Sequence, residues 1–250
     1  MTQTLNGRNS MADQDNGQTS EPVAIVTGAG SGVGEQIAIQ LAEHGYLLVL
    51  VGRTKEKLDR VGGGLATRWV SVEADVGVDE DRARIIEEAH TMFGRVDALV
   101  NNAGKAVFSK MSRIGADDMH AMFAVNGIGP VDLARRVIGE MSKRKEGVIV
   151  TVSSMAQLDP FDGLGTYGCT KAPSGVLAKS IANEFGSKGV RAYSICPGAI
   201  ETQMLRSFLP ESALPTDQTL SPAVVARVVV DCVIGETDLE NGAIHPLLSH

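Results

Sequence analysis

Short, largely apolar runs alternate with helical patterns along this chain, and this alternation constrains the fold more than any single motif does. A strand with one wet face alternates apolar and polar residues, whereas a continuous apolar run predicts a strand buried on both faces. The predicted strands are Val23–Val26, Leu47–Val51, Trp69–Val72, Val96–Val100, Gly147–Ser153, Val190–Ile195 and Ala243–Leu247. Strands of this kind belong to a parallel sheet that helices cover on both faces.

The segments between these runs carry helical signals. The predicted helices are Gln36–His44, Lys55–Val61, Asp79–Phe93, Ala116–Arg144, Gly165–Phe185 and Ser221–Val233. The fourth of these is predicted to be interrupted by Gly127, Gly129 and Pro130. Because strands and helices alternate without interruption, the predicted fold class is α/β, a Rossmann-type doubly wound parallel sheet of about seven strands with helices on both faces. Residues 22–250 are predicted to form a single domain. Residues 1–21, which are rich in Gln, Asn, Asp, Gly, Ser and Thr, are predicted to be a disordered N-terminal tail.

A glycine-rich sequence, TGAGSGVG, lies between the first predicted strand and the first helix. Near Gly28 the chain must turn sharply off the strand, and at Gly34 the helix must pack tightly on the sheet. At Gly32 the backbone can approach a pyrophosphate, to which the helix N-terminus presents free N–H groups. The predicted phosphate-contacting residues are Gly28, Ser31, Gly32, Val33 and Gly34.

The end of the second predicted strand indicates which nucleotide is bound. An NAD site of this type carries an acid about 20 residues beyond the glycines, where it binds the ribose 2′-hydroxyl. Here the chain has Gly52 and Arg53 instead. A guanidinium suits a 2′-phosphate, so we predict NADP(H) as the preferred cofactor, with NAD(H) possible. The alternative is that Arg53 is a solvated arginine at a helix start.

Tyr167 and Lys171 are four residues apart, which places them on one face of the predicted helix. A phenol beside an ammonium group can act as acid and base, because the cation favours the phenolate and lowers the pKa of the tyrosine. Ser154 lies thirteen residues before the tyrosine. With the phosphate turn, these residues indicate a nucleotide-dependent oxidoreductase acting on a carbonyl or an alcohol. Pro173 is expected to bend or re-space this helix locally.

In these motifs the chain resembles the short-chain dehydrogenase/reductase family, in its small single-domain branch. The motifs occur in family order and span residues 23 to about 235. They are TGAGSGVG, Asp75, Asn101–Gly104, Asn126, Ser154, Tyr167, Lys171 and Pro197–Gly198. The full set is highly specific, whereas any single motif is not.

The resemblance implies roles for individual residues. Asp75 and Val76 would hold an adenine ring, and Ile200 and Thr202 would contact the nicotinamide carboxamide. Asn126 would hold a helix irregularity and a water of a proton relay. The remaining implied cofactor contacts are Asn102, Ala103, Gly104, Tyr167, Lys171, Pro197 and Gly198. Asn102 is open to a second interpretation, a purely structural turn asparagine.

The resemblance also implies a mechanism that chemistry supports. Tyr167 would give a proton to a carbonyl oxygen as hydride reaches the carbonyl carbon, and would act as the base in reverse. Lys171 would bind the nicotinamide ribose, and Ser154 would donate a hydrogen bond to the developing oxyanion. Ser153 is the neighbouring alternative, but the spacing to the tyrosine favours Ser154. The predicted catalytic residues are therefore Asn126, Ser154, Tyr167 and Lys171.

Three apolar segments are candidates for the substrate pocket: Ala106–Met111, Met155–Leu164 and Gln203–Thr219. They predict a hydrophobic ketone or aldehyde, or a 3-oxoacyl thioester, and the third segment is a candidate lid. Arg206, within that segment, is interpreted as a solvated arginine, and contact with an acidic group is the alternative. The alternative functions are a non-enzymatic dinucleotide sensor on the same fold and an NAD-dependent alcohol dehydrogenase.

Charge and cysteine content exclude other classes. With a formal net charge of −7, the chain has no bulk basicity to hold nucleic acid or an anionic membrane, and no apolar stretch reaches the length of a membrane span. The three cysteines are far apart and the five histidines lack ligand spacing, so neither a disulfide framework nor a metal site is predicted. We expect a cytoplasmic protein that binds a small-molecule substrate and forms a homodimer or homotetramer.

Overall fold

The computed structural model describes residues 19–249. Most of the predicted tail, residues 1–18, lies outside the described residues, as does His250. Thr19 and Glu21 were assigned to the tail, but both contact the folded part of the chain. The Thr19 amide donates to the Phe93 carbonyl at 3.5 Å, and Glu21 pairs with Arg68 at 3.5 Å.

The described residues form one parallel sheet of seven strands, in the order β3-β2-β1-β4-β5-β6-β7. The strands are β1 Val23–Thr27, β2 Leu47–Gly52, β3 Trp69–Glu73, β4 Ala98–Asn101, β5 Gly147–Val152, β6 Val190–Pro197 and β7 Ile244–Leu247. The chain runs outward from β1 to β3, returns to β4 beside β1, and then runs outward the other way. This doubly wound order confirms the predicted Rossmann-type fold class and places the switch point between β1 and β4.

Helices cover both faces of the sheet. Within residues 19–249 the α-helices are α1 Gly32–Glu43, α2 Lys55–Gly62, α3 Asp79–Phe93, α4 Ala116–Phe123, α5 Gly129–Arg144, α6 Gly165–Lys171, α7 Pro173–Phe185, α8 Gln203–Arg206 and α9 Pro222–Ile234. One core lies between the sheet and α1, α2 and α9, and the other between the sheet and α3, α5 and α7. No helix in this part of the chain has the length and apolar character needed to cross a bilayer.

Two predicted long helices are interrupted where the sequence carries glycine or proline. The region 116–144 forms α4, a π-helical turn over Ala124–Ile128, and α5, which has Pro130 in its first turn. The region 165–185 is interrupted at Ala172, directly before Pro173. Proline cannot donate a backbone hydrogen bond, which explains the second break. Both interruptions lie next to residues of the predicted catalytic set.

Candidate active site

A cleft of about 830 Å³ opens at the carboxyl ends of the strands, over the switch point between β1 and β4. Arg53 and Asp75, which follow β2 and β3, border one end of it. Tyr167 and Lys171 of α6 border the other end. Open doubly wound sheets bind ligands at such switch points, because the loops diverge there. This cleft is the candidate active site.

The glycine-rich turn forms the floor of the cleft. Gly28 has a φ of 67° and Gly32 a φ of 57°, in the left-handed region that L-residues with side chains rarely adopt. Ser31 precedes α1, and within the described residues its side chain makes no capping hydrogen bond to the first turn. The backbone N–H groups of that turn are therefore available to an anion.

Gly34 lies behind this floor and fixes it. A β-carbon here would overlap the Gly28 carbonyl oxygen and lie 2.6 Å from Nδ2 of Asn102. Asn102 in turn donates from Nδ2 to the Thr27 carbonyl at 2.9 Å, and its backbone amide donates to the Thr27 hydroxyl at 2.9 Å. Asn102 thus braces β1 against β4, as one of its two interpretations required, and it also lines the cleft.

The β2 end of the cleft is basic. Arg53 is exposed there, and it makes no hydrogen bond or ion pair with any of the described residues. Lys57, in the first turn of α2, and Thr54 line the same end. Asp75 accepts a hydrogen bond from the Gly77 amide at 2.8 Å. This end of the cleft therefore offers two cations from α2 and the loop before it, where an NAD site would offer a carboxylate.

The other end of the cleft brings the predicted acid–base residues together. Tyr167 and Lys171 lie on the same face of α6, with the Lys171 Nζ 5.9 Å from the centre of the tyrosine ring. The Lys171 side chain is buried and donates to the Val152 carbonyl at 2.9 Å. Ser154 caps the short 3₁₀ turn after β5, where its hydroxyl accepts from the Ala156 amide at 3.1 Å.

Burial dominates the electrostatics of this pair. It raises the pKa of Tyr167 to about 12, and the Ser154 hydroxyl lowers it by a smaller amount. The expected net lowering by Lys171 is not found in this pKa, because desolvation of the phenol outweighs the effect that opposes it. Burial also lowers the pKa of Lys171 to about 8, an effect that Cys196 partly opposes. Tyr167 is thus a protonated phenol at neutral pH, able to donate.

The lowered pKa of Lys171 predicts how the stability of the folded protein depends on pH. The unfolded chain holds the proton up to its ordinary value of 10.5, whereas the folded protein releases it near 8. Stability therefore rises with pH between these values, and the penalty is complete below 8. A shift of this size corresponds to roughly 3 kcal/mol, and losing the bond to Val152 costs about 1–2 kcal/mol. Lys171→Met should therefore stabilise the protein at pH 7 by about 1–2 kcal/mol.

Urea unfolding of the Lys171→Met variant and the wild type at pH 7 and at pH 10 measures this effect. The difference in free energy of unfolding should be largest at pH 7 and shrink by pH 10. A variant that is less stable at pH 7, or a difference independent of pH, would contradict the burial argument.

Asn126 lies in the π-helical turn, as the implied helix irregularity requires. Its Nδ2 donates to the Lys105 carbonyl and to the Thr170 hydroxyl, each at 2.8 Å, and its Oδ1 accepts from the Lys105 amide at 2.9 Å. Asn126 thereby ties the loop after β4 to α6. All of its side-chain contacts are with protein groups just behind the cleft wall.

The predicted site residues fall into two groups in the structure. Those that line the cleft are Gly28, Ser31, Gly32, Val33, Arg53, Asp75, Val76, Asn102, Ala103, Gly104, Tyr167, Lys171, Ile200 and Thr202. Those that are not part of the lining are Gly34, Asn126, Ser154, Pro197 and Gly198. The Gly198 amide, for example, donates to the Leu247 carbonyl at 2.8 Å and so holds β7.

Sequence reasoning missed several residues of the cleft wall. They include Thr54, Lys57, Lys105 and Glu201. Ser153, the alternative to Ser154, also lines the cleft, as do Gln203, Met204 and Ser207 of the third predicted substrate segment. The position of Lys57, in the first helical turn after Arg53, was a usable signal. Lys105 directly follows the Asn101–Gly104 motif, so adjacency would have identified it as well.

The three predicted substrate segments meet beside the tyrosine end of the cleft. The rings of Phe108 and Phe208 stack with their centres 5.7 Å apart, and the Ser109 amide donates to the Gly163 carbonyl at 2.9 Å. Arg206 is not a solvated arginine as expected. It forms an ion pair with Glu201 and donates to the Leu214 carbonyl at 2.7 Å, which fixes the segment after β6.

A parallel sheet in this order, with a glycine-rich turn at its switch point, defines the Rossmann class of α/β proteins. The chain belongs to the short-chain dehydrogenase family, whose model matches residues 22–213. It is therefore an oxidoreductase, in agreement with the implied family.

Relatives and solved structures support this assignment. An uncharacterized oxidoreductase of Staphylococcus aureus is 32% identical over 84% of this chain and 90% of its own length. An uncharacterized oxidoreductase of Staphylococcus epidermidis is 33% identical over 75% of this chain and 81% of its own length. A 3-ketoacyl-(acyl-carrier-protein) reductase from Brucella melitensis complexed with NADH superposes with a TM-score of 0.84 at 28% identity, covering 90% of this chain and 96% of that one. A 7α-hydroxysteroid dehydrogenase complexed with NADH and 7-oxo glycochenodeoxycholic acid superposes with a TM-score of 0.85 at 26% identity. This match covers 96% of this chain and 97% of that one.

Proposed function

We propose that this oxidoreductase uses NADP(H) to reduce a hydrophobic ketone or aldehyde, or a 3-oxoacyl thioester, to an alcohol. One observation carries the proposal: a single cleft has Tyr167 and Lys171 at one end and, at the other, Arg53, which pairs with none of the described residues. The first group supplies acid–base chemistry, and the second suits a 2′-phosphate.

The residues of the cleft fit a nicotinamide dinucleotide. The left-handed glycines leave a cradle without side chains, and the uncapped start of α1 presents N–H donors for the pyrophosphate. Asp75 and Val76 would hold the adenine, and Arg53 with Lys57 the 2′-phosphate. The nicotinamide half would contact Lys171, Ile200 and Thr202.

When bound, the cofactor supplies a hydride to the substrate carbon. Residues of this chain protonate the substrate carbonyl oxygen and hydrogen-bond to it. Tyr167 is protonated at neutral pH and gives its proton to the substrate oxygen, which as an alkoxide is a stronger base than phenolate. Ser154 approaches the same phenol and donates a hydrogen bond to that oxygen. Lys171 orients the ribose, and Asn126 holds the loop after β4 against α6.

The wall beside Tyr167 favours an apolar substrate. Phe108, Met111, Leu158, Phe161 and Met204 come from the three segments that meet there, and all are exposed large apolar side chains. Exposed apolar patches of this kind mark binding surfaces. One solved relative is a 3-ketoacyl reductase and the other is a dehydrogenase in complex with a 7-oxo compound, which supports the same chemistry for this chain.

The experiment that tests the proposal is NADPH oxidation against a panel of aliphatic ketones, aldehydes, diketones and 3-oxoacyl thioesters. Turnover on at least one apolar carbonyl compound is expected. Tight NADPH binding without turnover of any carbonyl, combined with oxidation of an alcohol by NAD⁺, would replace the proposal with an NAD-dependent alcohol dehydrogenase. The NADH present in both solved relatives described above is the observation that favours this second candidate.

Arg53→Ala is expected to weaken NADPH binding by roughly 10- to 100-fold, because a hydrogen bond to a charged group contributes about 1.5–3 kcal/mol. NADH binding should change by less than about threefold, since NADH lacks the 2′-phosphate. Fluorescence titration of both nucleotides measures the effect. Arg227→Ala, at a largely exposed arginine on α9, is the matched control. Equal wild-type affinities for NADPH and NADH would refute the preference.

We also propose a homo-oligomer, a dimer or a tetramer. Exposed apolar side chains on neighbouring helices support it: Ile128 and Val131 at the start of α5, and Val176 on α7. Light scattering in solution tests this, and a monomer at micromolar concentration would refute it.

A further inference from the structure

A cluster of buried polar side chains lies directly behind Tyr167 and Lys171. Its members come from four separate elements: the end of β5, the following 3₁₀ turn, α7 and β6. They are Ser153, Gln157, Ser174, Ser194 and Cys196. The three serines and the cysteine are at most 4% exposed. Polar groups buried to this degree are kept only where hydrogen bonds satisfy them.

Ser174 is the centre of the cluster. Its Oγ lies 2.8 Å from the Ser153 hydroxyl, 2.8 Å from the Lys171 carbonyl oxygen, 3.1 Å from Oε1 of Gln157 and 3.1 Å from the Ser194 hydroxyl. A hydroxyl has one proton and two lone pairs. Ser174 therefore donates its one proton to the Ser153 hydroxyl, the Lys171 carbonyl or Gln157, and its lone pairs can accept from Ser194.

Ser174 lies next to the interruption between α6 and α7, where its hydrogen bonds can hold the end of α6 in place. Pro173 and the break at Ala172 separate α6 from α7, so α6 is not held in place by continuous helix. The Ser174 hydroxyl reaches back across the break to the Lys171 carbonyl, and the Ser153 hydroxyl reaches the same oxygen at 3.3 Å. The serine next to Ser154 and the backbone of Lys171 thus share one anchor.

We propose that Ser174 is a positioning residue that holds Lys171 and Tyr167 in register with Ser154. The proposal rests on the function proposed above. Ser174 is not part of the cleft lining, and within the described residues its hydroxyl makes no hydrogen bond to these three side chains. It acts through the backbone of α6 and through Ser153, which adjoins Ser154. Reaction rates are sensitive to displacements of about 1 Å between reacting groups, so an anchor at this break has a direct effect on catalysis.

Ser194 offers a control that separates a positioning role of Ser174 from a contribution to stability alone. It is fully buried, belongs to the same cluster and hydrogen-bonds Ser174, but within the described residues its hydroxyl makes no hydrogen bond to Lys171 or Ser153. Ser194→Ala and Ser174→Ala remove the same hydroxyl from equally buried sites. Both variants should lose stability, whereas only Ser174→Ala should disturb α6.

The experiment follows Lys171 directly, by NMR titration of its Nζ in protein without added nucleotide. The titratable groups that face this ammonium are Tyr167 on its own helix and Cys196 on β6. Burial raises the pKa of both, that of Tyr167 to about 12, so both groups release their protons at a higher pH than the free side chains do. In Ser174→Ala the pKa of Lys171 should rise from about 8 by at least half a unit, because a loosened α6 lets the ammonium reach water. In Ser194→Ala it should stay at the wild-type value.

Turnover supplies the second readout. We expect kcat to fall at least tenfold in Ser174→Ala and less than threefold in Ser194→Ala, at equal nucleotide saturation. An unchanged Lys171 pKa in Ser174→Ala, or the same rise in both variants, would overturn the proposal. If Ser174→Ala does not fold, Ser174→Cys takes its place, since a thiol is a weaker donor, and the same comparison with Ser194→Ala decides. If wild-type protein turns over no carbonyl, the proposed function fails while the titration still tests the anchor.

Discussion

Replacing Tyr167 by phenylalanine is expected to lower kcat by roughly 10²- to 10⁴-fold, the usual contribution of a positioned acid–base group. The substitution removes one hydroxyl group and keeps the ring that lines the cleft. Affinity for NADPH should therefore change by less than about threefold. The proton that neutralises the substrate oxygen would then have to come from water, which is poorly placed in a buried site.

Steady-state kinetics and nucleotide titration of this variant measure both quantities. Tyr193→Phe is the matched control, because Tyr193 is a buried tyrosine of β6 that belongs to the core and not to the cleft lining. It should keep kcat within about threefold. Activity of Tyr167→Phe within tenfold of the wild type would remove Tyr167 from the mechanism.

The fold was predictable from the sequence because its signals are local. Each buried strand is a short apolar run, and the turn between β1 and α1 needs glycine for reasons that can be read from the residues themselves. The break before Pro173 was likewise expected, since proline lacks the donor. The pairing of Tyr167 with Lys171 follows from helical periodicity. These features can be predicted without knowing which helices and strands contact one another.

Other features depend on tertiary contacts and could not be read in this way. The upward shift in the pKa of Tyr167 comes from burial among elements far apart in sequence. The pairing of Arg206 with Glu201 depends on how the segment after β6 folds back on itself. Ser174 looks like an ordinary helix-start serine in the sequence, and only the approach of β5 and β6 makes it the centre of a cluster.

Gly34→Ala is expected to damage both stability and nucleotide binding. The new β-carbon would overlap the Gly28 carbonyl oxygen and press on Nδ2 of Asn102. Neither neighbour can move freely, because Gly28 sits in a left-handed turn and Asn102 is bonded to the Thr27 carbonyl. Overpacking of this kind costs about 1–3 kcal/mol. Since the displaced turn is also the proposed phosphate cradle, NADPH affinity should fall at least tenfold.

The same substitution at Gly139 should have the opposite effect on stability. Gly139 lies inside α5, is exposed, and has open space where a β-carbon would go. Alanine in an exposed helix interior is favoured over glycine by roughly 0.5–1 kcal/mol, so Gly139→Ala should stabilise the protein and leave NADPH affinity unchanged. Urea unfolding and nucleotide titration of the two variants side by side measure the contrast. If Gly34→Ala matched Gly139→Ala in both measurements, close packing of α1 on the turn would not be what shapes the cradle.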